Sequence, residues 1–97
     1  MMATYPFNAT IRLSIAFTQA SLAYDPTSVV LKVASPNVTE TAYVYGTDAA
    51  VQKDATGAYH LDLLPGSAGL WSYRWEGNGV GVNSASENTF FVQPSVF

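Results

Sequence analysis

Residues Gly69 to Gly77 restrict what this chain can become more than any other stretch. Trp71, Tyr73 and Trp75 alternate there with Ser72, Arg74 and Glu76, the period-two pattern of a β-strand with one buried face. A helix would scatter the three rings around its circumference, since its side chains repeat every 3.6 residues. Three rings on one face also bring more apolar area than any other run in the chain. Trp71 and Tyr73 are therefore expected in the core. Trp75, nearest the glycines that follow, is expected to keep a surface role.

The same alternation recurs along the chain. Ile11, Leu13, Ile15 and Phe17 share one face of a strand over residues 10–17, with Arg12, Ser14 and Ala16 on the other. Val29, Leu31 and Val33 do so over Ser28–Ala34, and Tyr59, Leu61 and Leu63 over residues 58–64, against His60 and Asp62. Shorter β-rich runs lie at Thr41–Tyr45 and Glu87–Gln93, and Ala49–Lys53 reads as an ambiguous brief edge strand. Between them stand turn formers: the polar run 19–27 closed by Asp25-Pro26, then Ser35-Pro36-Asn37, Asp54–Gly57, and Pro65–Gly69. Gly77–Gly81 reads as a flexible loop. Strands at roughly 8–15-residue spacing without helical periodicity indicate an antiparallel β-sandwich, all-β, with about seven strands and of immunoglobulin-like size. Two glycines each stand two residues before an aromatic, Gly57 before Tyr59 and Gly69 before Trp71. Tyr59 or Tyr73 is thus a candidate for a corner tyrosine whose hydroxyl anchors to nearby backbone.

With 97 residues the chain is expected to be one domain over 1–97, with short arms at 1–8 and 94–97. Only 11% of residues are charged and the net charge is −3. The four cations, Arg12, Lys32, Lys53 and Arg74, are scattered singly, which disfavours nucleic acid as a partner. No apolar run approaches the ~20 residues that span a bilayer. Residues 1–8 lack the cationic and apolar regions of a secretion signal, so neither membrane nor export is expected. Without that signal, the glycosylation sequons at Asn8 and Asn37 read as chance. There is no cysteine, which excludes disulfides and thiolate metal sites.

Few residues carry catalytic chemistry. His60 is the only histidine, and alternation puts it on a solvent face beside Asp62, where a solvated pair outweighs a catalytic base. The carboxylates Asp25, Asp48, Asp54, Glu76 and Glu87 stand singly, most of them in turns. No metal, cofactor or catalytic residue is assigned, and the chain is not expected to be an enzyme. Tyr43, Tyr45 and Trp75 leave open a second reading, an aromatic platform in a carbohydrate-binding module for adhesion to a host or mucus surface. Tyr5 and Phe7 at one end, with Val96 and Phe97 at the other, are apolar groups on polar arms. They are candidate docking arms, expected to be dispensable for folding.

Lys53–His60, Ala68–Gly77 and the closing Phe90–Phe97 resemble motifs of a group of small proteins encoded by tailed bacteriophages and prophages. Ile11–Ser14 and Asp25–Val33 are similar to members of that group as well. The resemblance implies an immunoglobulin-like virion protein encoded among head and neck genes. As a capsid decoration or head–tail (neck) connector, it would be assembled in the host cytoplasm and dock on capsid, portal, neck or tail subunits, with homo-oligomers in the particle as a further option.

Overall fold

The computed structural model describes residues 3–37, 39–79 and 82–94. Apolar alternation becomes strand pairing almost everywhere it was read. Ten strands form among the described residues: β1 (Ala3–Tyr5), β2 (Ile11–Ala16), β3 (Thr18–Gln19), β4 (Leu22–Ala23), β5 (Ser28–Ala34), β6 (Glu40–Val44), β7 (Val51–Ala55), β8 (Ala58–Leu63), β9 (Gly69–Gly79) and β10 (Val82–Val92). They build a five-stranded sheet in the order β1-β10-β9-β5-β6, a three-stranded sheet β2-β8-β7, and a two-stranded hairpin β3-β4. The chain is all-β in several sheets, an architecture compatible with a β-sandwich.

Both larger sheets turn their apolar faces to one core. The five-stranded sheet contributes Val29, Leu31, Val33, Trp71, Trp75, Phe90 and Val92. The three-stranded sheet contributes Ile11, Leu13, Val51, Tyr59 and Leu61, and Phe17 closes the end. β9 is the central element: it pairs antiparallel with β10 along its whole length and with β5 from Ser72 to Asn78. Trp71 stacks on Phe90, with ring centroids 6.0 Å apart and planes within 7°. Its Nε1 donates to the Ser67 carbonyl at 3.0 Å.

Several expectations need correction. Trp75 is not a surface aromatic; it is 1% exposed and among the largest fully buried side chains. β9 runs on through Gly77, so the expected loop begins late, and burial continues past the indole. Gly77 stays in the strand because its missing side chain admits the Phe17 ring and Pro26: a Cβ there would lie 2.6 Å from Phe17 Cε1 and 2.8 Å from Pro26 Cγ. The N-terminal segment is not a loose arm either. β1 pairs in parallel with Phe90–Val92 of β10, Tyr5 meets Phe90 edge to face at 5.8 Å, and Tyr5 and Phe7 pack half-buried on the core. Val96 and Phe97, the other two docking candidates, lie outside the described residues.

The polar run 19–27 holds most of the small hairpin β3-β4, which begins at Thr18 and whose tip residues Ala20 and Ser21 have φ of 53° and 67°. Two-residue hairpins with positive φ at both positions favour Asn and Gly, which is why this sequence does not announce one. Gly57 is the turn between β7 and β8. Its φ is +76°, and a Cβ would lie 2.6 Å from the Phe17 carbonyl oxygen and 2.8 Å from that of Tyr24. The Phe17 amide donates to the Gly57 carbonyl at 2.7 Å, so the turn is locked against the segment that follows β2.

Candidate functional site

Three polar assemblies and one apolar patch result from this arrangement. The first centres on Asp25, which opens the turn into β5. Its carboxylate accepts from Lys53 Nζ at 2.8 Å, from the Gly57 amide at 2.7 Å and from the Tyr59 hydroxyl at 3.2 Å. Tyr59 is 2% exposed. Its hydroxyl thus reaches a carboxylate and not the backbone expected of a corner tyrosine, and that carboxylate in turn holds the Gly57 amide. Lys53, then the Gly57 amide, hold the Asp25 carboxyl below its ordinary value, while burial pushes the Tyr59 phenol up. Tyr73, the other corner candidate, is half-buried against the core, and burial raises its phenol too.

The second assembly lies on the outer face of β2-β8-β7. His60 is not solvated as its alternation implied: it is 7% exposed. Cross-strand neighbours Ser14 and Gln52 flank it, and both carboxylate oxygens of Asp54 lie 2.7 Å from its Nδ1. Its Nε2 faces Asp62 at 4.0 Å, and Asp62 is held by Arg12 through two hydrogen bonds of 2.9 and 3.1 Å. A catalytic triad needs a hydroxyl at the second ring nitrogen. Here the group facing that nitrogen is the Asp62 carboxylate. Arg12 holds the Asp62 carboxyl below its usual value. No group of three or more metal-ligating side chains converges among the described residues.

The third assembly spans the outer face of the five-stranded sheet. Arg74 donates to Glu76 at 2.7 Å and to Glu87 at 3.4 Å, and Lys32 lies 3.5 Å from Glu76. These groups line a shallow groove of about 360 Å³ with Ser72 and Glu40. Arg74 lowers the Glu76 carboxyl. Each of the four cations therefore meets a carboxylate. Pairs this exposed contribute little individually to stability, because solvent screens them.

Asp25, Asp62 and Glu76 all titrate lower in the folded chain than unfolded. Such groups stabilise the fold above their unfolded pKa values, and that stabilisation is lost as pH falls through the folded ones. The melting temperature should therefore hold level from neutrality to about pH 5 and fall progressively below about pH 4. A thermal melt series across this range checks it, and Asp25→Asn should flatten part of the acid limb.

The apolar patch was readable in the sequence as a matter of phase. Leu70 stands one residue out of step with the inward rings of β9, and Phe91 one out of step with Phe90 and Val92. In the register of β9 and β10, Leu70 pairs with Phe91, so the two face outward together, Leu70 49% exposed and Phe91 half-buried. Leu64, out of step with Tyr59, Leu61 and Leu63, is 59% exposed at the end of β8. The carbohydrate platform does not assemble. Trp75 is buried, Tyr43 is partly buried, and Tyr45 leans edge-on against Tyr59 at 5.1 Å. A scan of family models and searches of curated proteins and solved structures return no match to this chain.

Proposed function

We propose that this chain is a non-enzymatic structural component of a tailed-phage particle, a capsid decoration or head–tail (neck) protein that docks on repeated virion subunits. The fold reading beneath it is immunoglobulin-like. In the lettering of that fold, β2, β8 and β7 take the places of B, E and D. β10, β9, β5 and β6 take those of G, F, C and C′. β3-β4 is then an insertion between B and C. This strand order is the observation that carries the reading, because it is the expectation the phage-protein resemblance makes and periodicity alone does not. The charged side chains support it as well: all four cations are engaged in ion pairs with carboxylates of the same chain.

Docking is assigned to the end where Leu70 and Phe91 face outward, next to the last described residues, Gln93 and Pro94. Mass spectrometry of purified particles should find the chain, with a copy number that separates many-copy decoration from few-copy neck. Leu70→Glu, at an exposed position, should leave the melting temperature nearly unchanged and deplete the chain from particles by tenfold or so. Particles carrying the variant at full occupancy would overturn this docking surface, and particles lacking the wild-type chain would overturn the virion role.

A further inference from the structure

β10 is covered on its outer side for only a short part of its length. β1 pairs with Phe90, Phe91 and Val92, and among the described residues Val82–Thr89 has no partner on that side. The Gln93 amide donates to the Tyr5 carbonyl at 2.9 Å, so odd-numbered residues turn their N–H and C=O groups toward this edge. The register of β9 and β10 is continuous from Val82 to Val92, which carries the alternation back along the strand. Asn83, Ala85 and Glu87 therefore present free main-chain donors and acceptors, while Ser84 and Ser86 bond to β9.

Natural edge strands are usually guarded by lysine, proline, a bulge or shortness. Val82–Thr89 has none of these and carries a single charge, Glu87; Asn83–Thr89 is otherwise small or polar. On the same side of the molecule, β2 is the terminal strand of the facing sheet, and a groove of about 270 Å³ opens between Ile15–Thr18 and Ser84–Ser86. No described strand pairs with this edge.

We propose that the occupant is a second copy of this chain, pairing β10 edge to β10 edge, antiparallel, about a two-fold axis through Ala85. Antiparallel ladders bring hydrogen-bonding residues opposite one another, so odd positions must meet odd positions. Centred on Ala85, the pairing sets Asn83 against Glu87 twice, an amide donor opposite a carboxylate each time, with Ala85 facing its own copy and Ser84 facing Ser86. Centred on Glu87, it would oppose two carboxylates, which is unfavourable. The interface is isologous and closes at two copies, joining two five-stranded sheets into one. A ladder this short covers less area than the ~1,200 Å² of a stable complex. The dimer is therefore weak in dilute solution and forms where copies are held close together. The inference does not depend on the virion reading.

Sedimentation equilibrium of the full chain, from dilute solution to about 1 mM, tests it. The average mass should climb from 10.4 kDa toward twice that value. Ala85→Pro removes an edge N–H without touching the β9 ladder and should hold the mass at the monomer with its circular dichroism unchanged. Asn83→Glu, which opposes two carboxylates, should do the same, and decides the matter if the proline variant fails to fold. Asn83→Lys, which opposes a cation and a carboxylate, should tighten association several-fold. A wild-type mass that stays monomeric throughout, or Asn83→Glu associating as well as wild type, overturns the proposal.

Discussion

Gly57→Ala is expected to destabilise the fold by about 2–5 kcal/mol, measured as the loss in unfolding free energy by denaturant titration. Two terms add. A non-glycine residue at φ +76° costs roughly 1–2 kcal/mol. The new methyl also meets the Phe17 and Tyr24 carbonyl oxygens at 2.6 and 2.8 Å. These are backbone atoms that cannot rotate aside, and overpacking of this kind costs a further 1–3 kcal/mol or so. The other glycines separate the terms. Gly46 has φ +91° with nothing within 4 Å, so Gly46→Ala should show the conformational cost alone, about 1–2 kcal/mol. Gly66, with an open surrounding and no positive φ, should tolerate alanine almost freely. If Gly57→Ala costs no more than Gly46→Ala, the close approach at the turn is not what holds it. Against a total of roughly 5–15 kcal/mol for a native domain, the Gly57 loss would leave many molecules unfolded at moderate temperature.

The second large effect belongs to Trp75. Trp75→Ala should cost about 3–5 kcal/mol, the range for deleting a fully buried large ring. Its neighbour in the pattern behaves differently toward a milder change. The Trp75 Nε1 is buried with no hydrogen-bond partner among the described residues, and an unpaired buried donor carries a desolvation cost of about 1–3 kcal/mol. Trp75→Phe removes that cost while leaving a small void, so the two effects offset and the net change should stay within about 1 kcal/mol. Trp71→Phe loses the bond to the Ser67 carbonyl with no such relief and should cost more, about 2 kcal/mol. Equal losses for the two phenylalanine variants would show that the Trp75 donor is satisfied in solution.

These two sites also show where the sequence was legible. Ser28–Ala34 is the strand that alternation indicates, residue for residue, and the inward sets of β2 and β8 pack in or against the core because sheet pairing buries whole phases at once. What escaped lacked an apolar phase. Val82–Ser86 is small and polar, and it is a strand because β9 pairs with it, a long-range cause that a local pattern cannot carry. β1 is a strand for the same reason. His60 illustrates a second limit: alternation assigned its face correctly, but burial on an outer face depends on which side chains cross-strand pairing brings around it. Trp75 illustrates a third, since its depth was set by a glycine two residues on that admits another ring. The hydrogen-bond partners of Asp25 lie 28 to 34 positions away, beyond any spacing rule.

The parallel pairing of β1 with β10 has a consequence for how the molecule assembles and breathes. Ala3 meets Phe90, a wider separation in sequence than any other strand pairing among the described residues, so this ladder carries the greatest closure entropy of them. On a ribosome, the N-terminal strand must wait for the last strand to emerge before it has a place to bind. Once formed, a three-residue ladder is among the weakest cooperative units in the fold and opens without global unfolding. Each such opening bares the full outer side of β10, lengthening for a moment the template that a neighbouring strand could use.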